Sequence, residues 1–147
     1  SVIQQSRLPM FKAFPLFVLP LVAYNLLMLS GDIEAALAAE LFSIGLISDA
    51  VWSFSVHDAF VVAGVLILYF EIFKSTRTGI ASVLDHTFST MVFVVFLIEF
   101  LTVAACGTST FFVLGLMALL DVIAGFTVSI VAARRDFGVN NPGFGGD

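Results

Sequence analysis

More than half of this chain lies in four long apolar runs, at residues 13–29, 56–73, 87–106 and 111–133. A helix needs about 20 apolar residues to cross a hydrocarbon layer of about 30 Å, and all four runs approach or exceed that length. The runs are continuous rather than alternating, so they predict helices and not the strands of a barrel. Composition agrees. Hydrophobic residues make up 60% of the 147 positions and charged residues only 12%, about half the usual share of a soluble domain. The expected fold is an all-α membrane protein with four transmembrane helices in a single domain, residues 1–135, followed by a mobile cytoplasmic tail at 136–147.

The six basic residues fall in three places. Arg7 and Lys12 precede the first run, Lys74 and Arg77 follow the second, and Arg134 and Arg135 follow the fourth. With four crossings these places share one face, which the positive-inside rule assigns to the cytoplasm together with both termini. Asp32, Glu34, Glu40, Asp49 and Asp58 lie on the opposite face. Arg7 and Lys12 before an apolar stretch resemble a signal peptide. Acidic residues separate that stretch from the Ala-Leu-Ala that follows, and residues 13–29 read as a retained anchor. Within it, Pro15 suits a first turn and Pro20 predicts a kink.

The outer link between the first two runs carries Ile33, Leu37, Leu41, Ile44 and Ile47 at helical spacing. That pattern predicts an amphipathic helix over 32–47, capped by Asp32 and lying on the outer surface, with Trp52 and Phe54 at the lipid interface. The link GTST at 107–110 is short enough to make the third and fourth runs antiparallel neighbours.

Two carboxylates sit deep in the runs, Glu99 and Asp121. A charge at the bilayer centre costs about 2.5–3.5 kcal/mol, so neither should face lipid. Counted from the 107–110 link along continuous helices, their depths differ by roughly one turn. This predicts an intramembrane polar cluster of Asn25, Glu99, Thr102 and Asp121. Asp121 also begins a stripe with Gly125, Ser129 and Ala133, each four residues apart, which predicts a close helix–helix contact. Glu71 stands one turn before Lys74 and predicts an ion pair near the cytoplasmic surface. His57 and His86 each have a neighbouring aspartate but belong to opposite faces, so they cannot share a metal or haem. Helix capping is the expected role of Asp85 or Thr87.

Reaction chemistry has no motif here. There is no nucleophile with a base, no phosphate-binding glycine loop and no metal-ligand spacing. The single cysteine, Cys106, excludes an internal disulfide. A net charge of −5 argues against nucleic acid as a partner. The sequence therefore predicts a non-enzyme without cofactor or metal. Its expected partners are membrane lipids and other membrane protein subunits, or a second copy of itself. The first expected role is a non-catalytic integral subunit or accessory protein of a larger membrane assembly. The alternative is a small proton- or cation-coupled transporter or channel using Glu99 and Asp121. The acidic pI and the charge asymmetry favour a bacterial inner membrane as the location.

Overall fold

The computed structural model describes residues 13–76 and 79–139. The protein is mostly helical. In chain order it comprises α1 (Val18–Met28), α2 (Ile33–Ala38), a hairpin of β1 (Glu40–Gly45) and β2 (Val51–Ser55), α3 (Val56–Lys74), α4 (Ile80–Thr102) and α5 (Ser109–Val139). A 3-10 turn at Ala104–Cys106 joins α4 to α5. Helices α3, α4 and α5 are long and apolar enough to cross a membrane, and α1 is a shorter apolar helix. This architecture suits a multi-pass membrane protein.

Helix directions follow from residue pairs. His57 of α3 meets Thr110 of α5, Gly64 faces Leu114 and Met117, and Ser75 faces Gly125, so α3 and α5 run the same way. Gly125 faces His86, Gly115 faces Phe96 and Phe112 packs on Phe100, so α4 runs antiparallel to α5. Helix α1 lies antiparallel to α3: Leu16, just before it, touches Glu71, and Tyr24 packs on Phe60. Between the helices Phe17, Leu21, Tyr24, Phe96, Phe111 and Leu114 form the core. Most other large apolar side chains point outward, as expected where the surrounding solvent is itself apolar.

The link at 30–55 departs from the expected single helix. Asp32 does cap a helix, accepting from the Ala35 N–H at 3.1 Å. That helix ends at Ala38, and Ala39 leaves helical geometry with ψ 126°. From Glu40 the alternation of Phe42 and Ile44 with Ser43 and Gly45 fits a strand, and this period of two outweighs the sparser helical stripe. Antiparallel pairing sets Phe42 opposite Phe54, Ser43 opposite Ser53 and Ile44 opposite Trp52. Asp49, at φ 64°, closes the turn. Aspartate tolerates that left-handed conformation better than most residues.

Other boundaries also move. Helix α1 begins at Val18, so Pro20 falls in its first turn, where a missing N–H costs nothing and no kink is required. Helix α4 begins at Ile80 after Gly79, whose φ of 99° suits glycine. Asp85 and Thr87 are therefore inside the helix instead of capping it; Thr87 donates to the Val83 carbonyl. Helix α5 continues to Val139, so residues 136–139 are helical and not tail. Residues 140–147, together with Arg7, Lys12 and Arg77, lie outside the described residues. At the start of α3, Ser55 and Asp58 form a reciprocal capping box, which anchors the hairpin to the helix without a linker.

Candidate functional site

Among the described residues, polar side chains gather at the two ends of the bundle, an outer cluster at the hairpin end and an inner cluster at the Lys74 end. The outer cluster ties α1 to the α4–α5 turn. Tyr24 Oη lies 2.8 Å from the Ala105 carbonyl and 2.6 Å from Thr108 Oγ1. Asn25 Nδ2 donates to Glu99 Oε2 and to the Leu21 carbonyl, both at 2.9 Å. Cys106 Sγ contacts the same Glu99 oxygen at 3.7 Å. Burial pushes the Cys106 thiol up to about 11, and the Glu99 carboxylate adds to that shift. The thiol therefore stays protonated at neutral pH and acts as a weak donor instead of a nucleophile. His57 Nδ1 and Thr110 Oγ1, 2.6 Å apart, link α3 to the start of α5.

The inner cluster is built on Glu71, which is 1% exposed. Its Oε1 accepts from Lys74 Nζ at 2.9 Å and from the Leu16 N–H at 3.0 Å. Lys74 also donates to the Phe14 carbonyl at 2.7 Å. A third neighbour of the ammonium is Asp85 Oδ1, an ion-pair contact at 3.1 Å outside hydrogen-bonding alignment. Asp121, 5% exposed, lies one turn before Gly125, which faces Ser75 one turn after Glu71. Glu71 Oε2 has no hydrogen-bond partner among the described residues. This end of the bundle thus gathers three carboxyl groups and one ammonium. Beside it, His86 Nε2 is 2.6 Å from Ser129 Oγ.

Of the expected polar cluster, the structure joins Asn25 and Glu99 and places Asp121 elsewhere. Thr102 donates to the Ile98 carbonyl of its own helix at 2.6 Å and is exposed. The separation has a geometric cause. Helix α4 ends at Thr102 and α5 starts at Ser109, so the six intervening residues add no depth. Glu99 is then about 4 Å from the end of its helix and Asp121 about 18 Å into its own. In the small-residue stripe, Gly125 and Ser129 pack against His86 of α4, whereas Ala133 is exposed. The Glu71–Lys74 pair is present, but it is buried and extended by Asp85 and Asp121. A depth count from the outer ends of α3 and α5 finds this group: Glu71 is fourteen residues beyond His57, and Asp121 eleven beyond its partner Thr110.

Among the described residues, no group of three or more His, Cys, Asp or Glu has a geometry that could hold a metal ion. Lys74 bridges Glu71 and Asp85. No family model, curated protein or solved structure matches this chain, so the functional reading rests on geometry.

Proposed function

We propose that this protein is a four-crossing, non-catalytic subunit of a larger assembly, seated in a bacterial inner membrane with both termini in the cytoplasm. One observation carries the choice over a proton pathway. Between the outer and inner clusters the interior is apolar, filled by Phe96, Leu114, Met117 and Ala118. Along α5 the gap from Thr110 to Asp121 is about 16 Å. A relay of proton-carrying side chains cannot cross it. Each cluster instead ties helices together, which is what interhelical polar contacts do in lipid.

The fourth crossing is supported by the attachments of the first segment. Phe14 and Leu16 bind the inner cluster, while Tyr24 and Asn25 bind the outer one. These attachments support a crossing by the first segment, although α1 itself, with 11 residues, is shorter than the 19-residue α3 it packs on. Lys74, Arg134 and Arg135 lie towards one end, and Asp32, Glu34, Glu40 and Asp49 towards the other, which supports the cytoplasmic assignment.

The test is gentle extraction of the native protein followed by intact-complex mass spectrometry. The expected result is a larger assembly in which this chain has fixed stoichiometry with other integral membrane proteins. Recovery of the chain alone, together with proton flux into liposomes that Asp121→Asn abolishes, overturns the proposal. Sidedness is checked with Ser48→Cys at the hairpin turn. Because Cys106 is buried, an impermeant maleimide added outside intact spheroplasts should label the Ser48→Cys protein and leave the parent unlabelled. Labelling only after lysis reverses the topology.

A further inference from the structure

The hairpin β1–β2 gathers its aromatic residues on one face. Phe42, Ile44, Trp52 and Phe54 share one face by their register, with Phe42 stacked on Phe54 at 4.8 Å and Trp52 edge-on to Phe54 at 5.6 Å. Ser43, Gly45, Val51 and Ser53 lie on the other face, which carries no aromatic ring and where Glu40 accepts from the Ser53 hydroxyl. Trp52 is nevertheless 47% exposed and Phe42 45% exposed, and neither belongs to the core. An isolated two-stranded hairpin with its apolar face in water is at best marginally stable, so this face requires a cover.

We infer that the cover is the outer surface of the bilayer, with the aromatic face lying at the boundary between headgroups and acyl chains. The inference rests on α3 crossing the membrane, as proposed above. Ser55 is both the last residue of β2 and the cap of α3, so no linker separates the hairpin from the end of the helix. At about 3.3 Å per residue, Phe54 and Trp52 lie within about 3 and 10 Å of that end. The headgroup layer is about 5–8 Å thick on each side of the hydrocarbon. Phe54 is therefore held at its level, and Trp52 reaches it when the hairpin lies along the surface, where tryptophan and other aromatic side chains favour the mixed polar and apolar environment.

Charge selects between possible covers. No lysine or arginine occurs between residues 13 and 73, and Glu40 and Asp49 are acidic. A second copy of the hairpin would bring like charges together, and an anionic headgroup would offer no ion pair. A zwitterionic surface bound through apolar area fits this composition.

Trp52 is the chain's single tryptophan, so its fluorescence reports on the hairpin alone. The protein is reconstituted in phosphatidylcholine vesicles whose acyl chains are brominated either near the headgroup or near the bilayer centre. Headgroup-proximal bromine should quench Trp52 by roughly two-fold, bromine at the centre by much less, and aqueous acrylamide should have little access. Replacing part of the phosphatidylcholine with phosphatidylglycerol should not increase quenching. In the Phe42→Ser/Phe54→Ser double variant, which leaves the helix core untouched, lipid quenching should fall and acrylamide access rise. Free access of acrylamide with no bromine quenching would put the hairpin in water and overturn the inference. Shielding from both quenchers, in vesicles or native membranes, would overturn it in favour of a protein cover. Either result leaves the subunit proposal to be decided by the mass of the extracted complex.

Discussion

Lys74→Met should lower the stability of the bundle by about 3 kcal/mol. Lys74 is the only basic partner that the described residues supply to Glu71, Asp85 and Asp121. Its ammonium also holds the Phe14 carbonyl, and Glu71 holds the Leu16 N–H. Removing the cation leaves buried acids without a counter-charge and loosens the entry to α1 in the same step. Methionine keeps the length and apolar stem of the side chain, so the effect reports charge and hydrogen bonding rather than a cavity. The lysine side chain is 16% exposed, which keeps the expected loss at the lower end of the range for broken buried pairs. The measurement is reversible unfolding in mixed micelles. A second variant separates electrostatics from general damage: adding Asp121→Asn to Lys74→Met removes one of the stranded carboxyl groups and should restore part of the loss. A Lys74→Met protein as stable as the parent would show that the acids remain hydrated and that the cluster does not hold the bundle.

The cluster behind this prediction was only half visible in the sequence. Glu71 and Lys74 are one turn apart on one helix, a local relation that spacing reveals directly. Asp85 and Asp121 join them through tertiary packing, and no local pattern encodes that. The expected pairing of Asp121 with Glu99 failed on one assumption, that residues 103–108 continue the helices; as a turn they contribute no depth. Apolar helices were legible because lipid imposes a long, uninterrupted signal. The hairpin was not, because Ile33, Leu37, Leu41, Ile44 and Ile47 satisfy a helical period while Phe42, Ile44, Trp52 and Phe54 satisfy a strand period. Ile44 serves both patterns, and cross-strand pairing decides between them. The small-residue stripe was legible as a packing surface for Gly125 and Ser129, since close approach requires small side chains. Its partner, His86, was not: it stood just before a run expected to begin at residue 87, and it becomes a packing residue once α4 extends back to Ile80.

That contact yields the second large effect. Gly125→Val should destabilise the α4–α5 seam by roughly 3 kcal/mol, combining overpacking with loss of a buried hydrogen bond. A β-carbon at Gly125 would sit 2.7 Å from both Cε1 and Nδ1 of His86, well inside contact distance. The imidazole cannot simply turn aside. Its Nε2 is 2.6 Å from Ser129 Oγ, Ser82 Oγ lies 3.3 Å from the same nitrogen, and the ring packs on Phe126 with centroids 5.1 Å apart. Relieving the clash therefore breaks the His86–Ser129 link between the two helices. Gly64 provides the control. Its β-carbon would approach Met117 Sδ at 2.6 Å and Leu114 Cδ2 at 3.0 Å, a comparable overlap, but against the mobile ends of flexible side chains. Methionine readjusts readily, so Gly64→Ala should cost less than about 1 kcal/mol and Gly125→Ala clearly more. The comparison is read as the shift in unfolding midpoint of the two alanine variants under identical detergent conditions. Equal shifts would mean that the His86 ring moves freely and that the seam is held by apolar packing alone. A larger shift for Gly125→Ala, reduced when His86→Ala makes room for the new methyl group, would establish the imidazole as the wedge that sets how closely α4 and α5 approach.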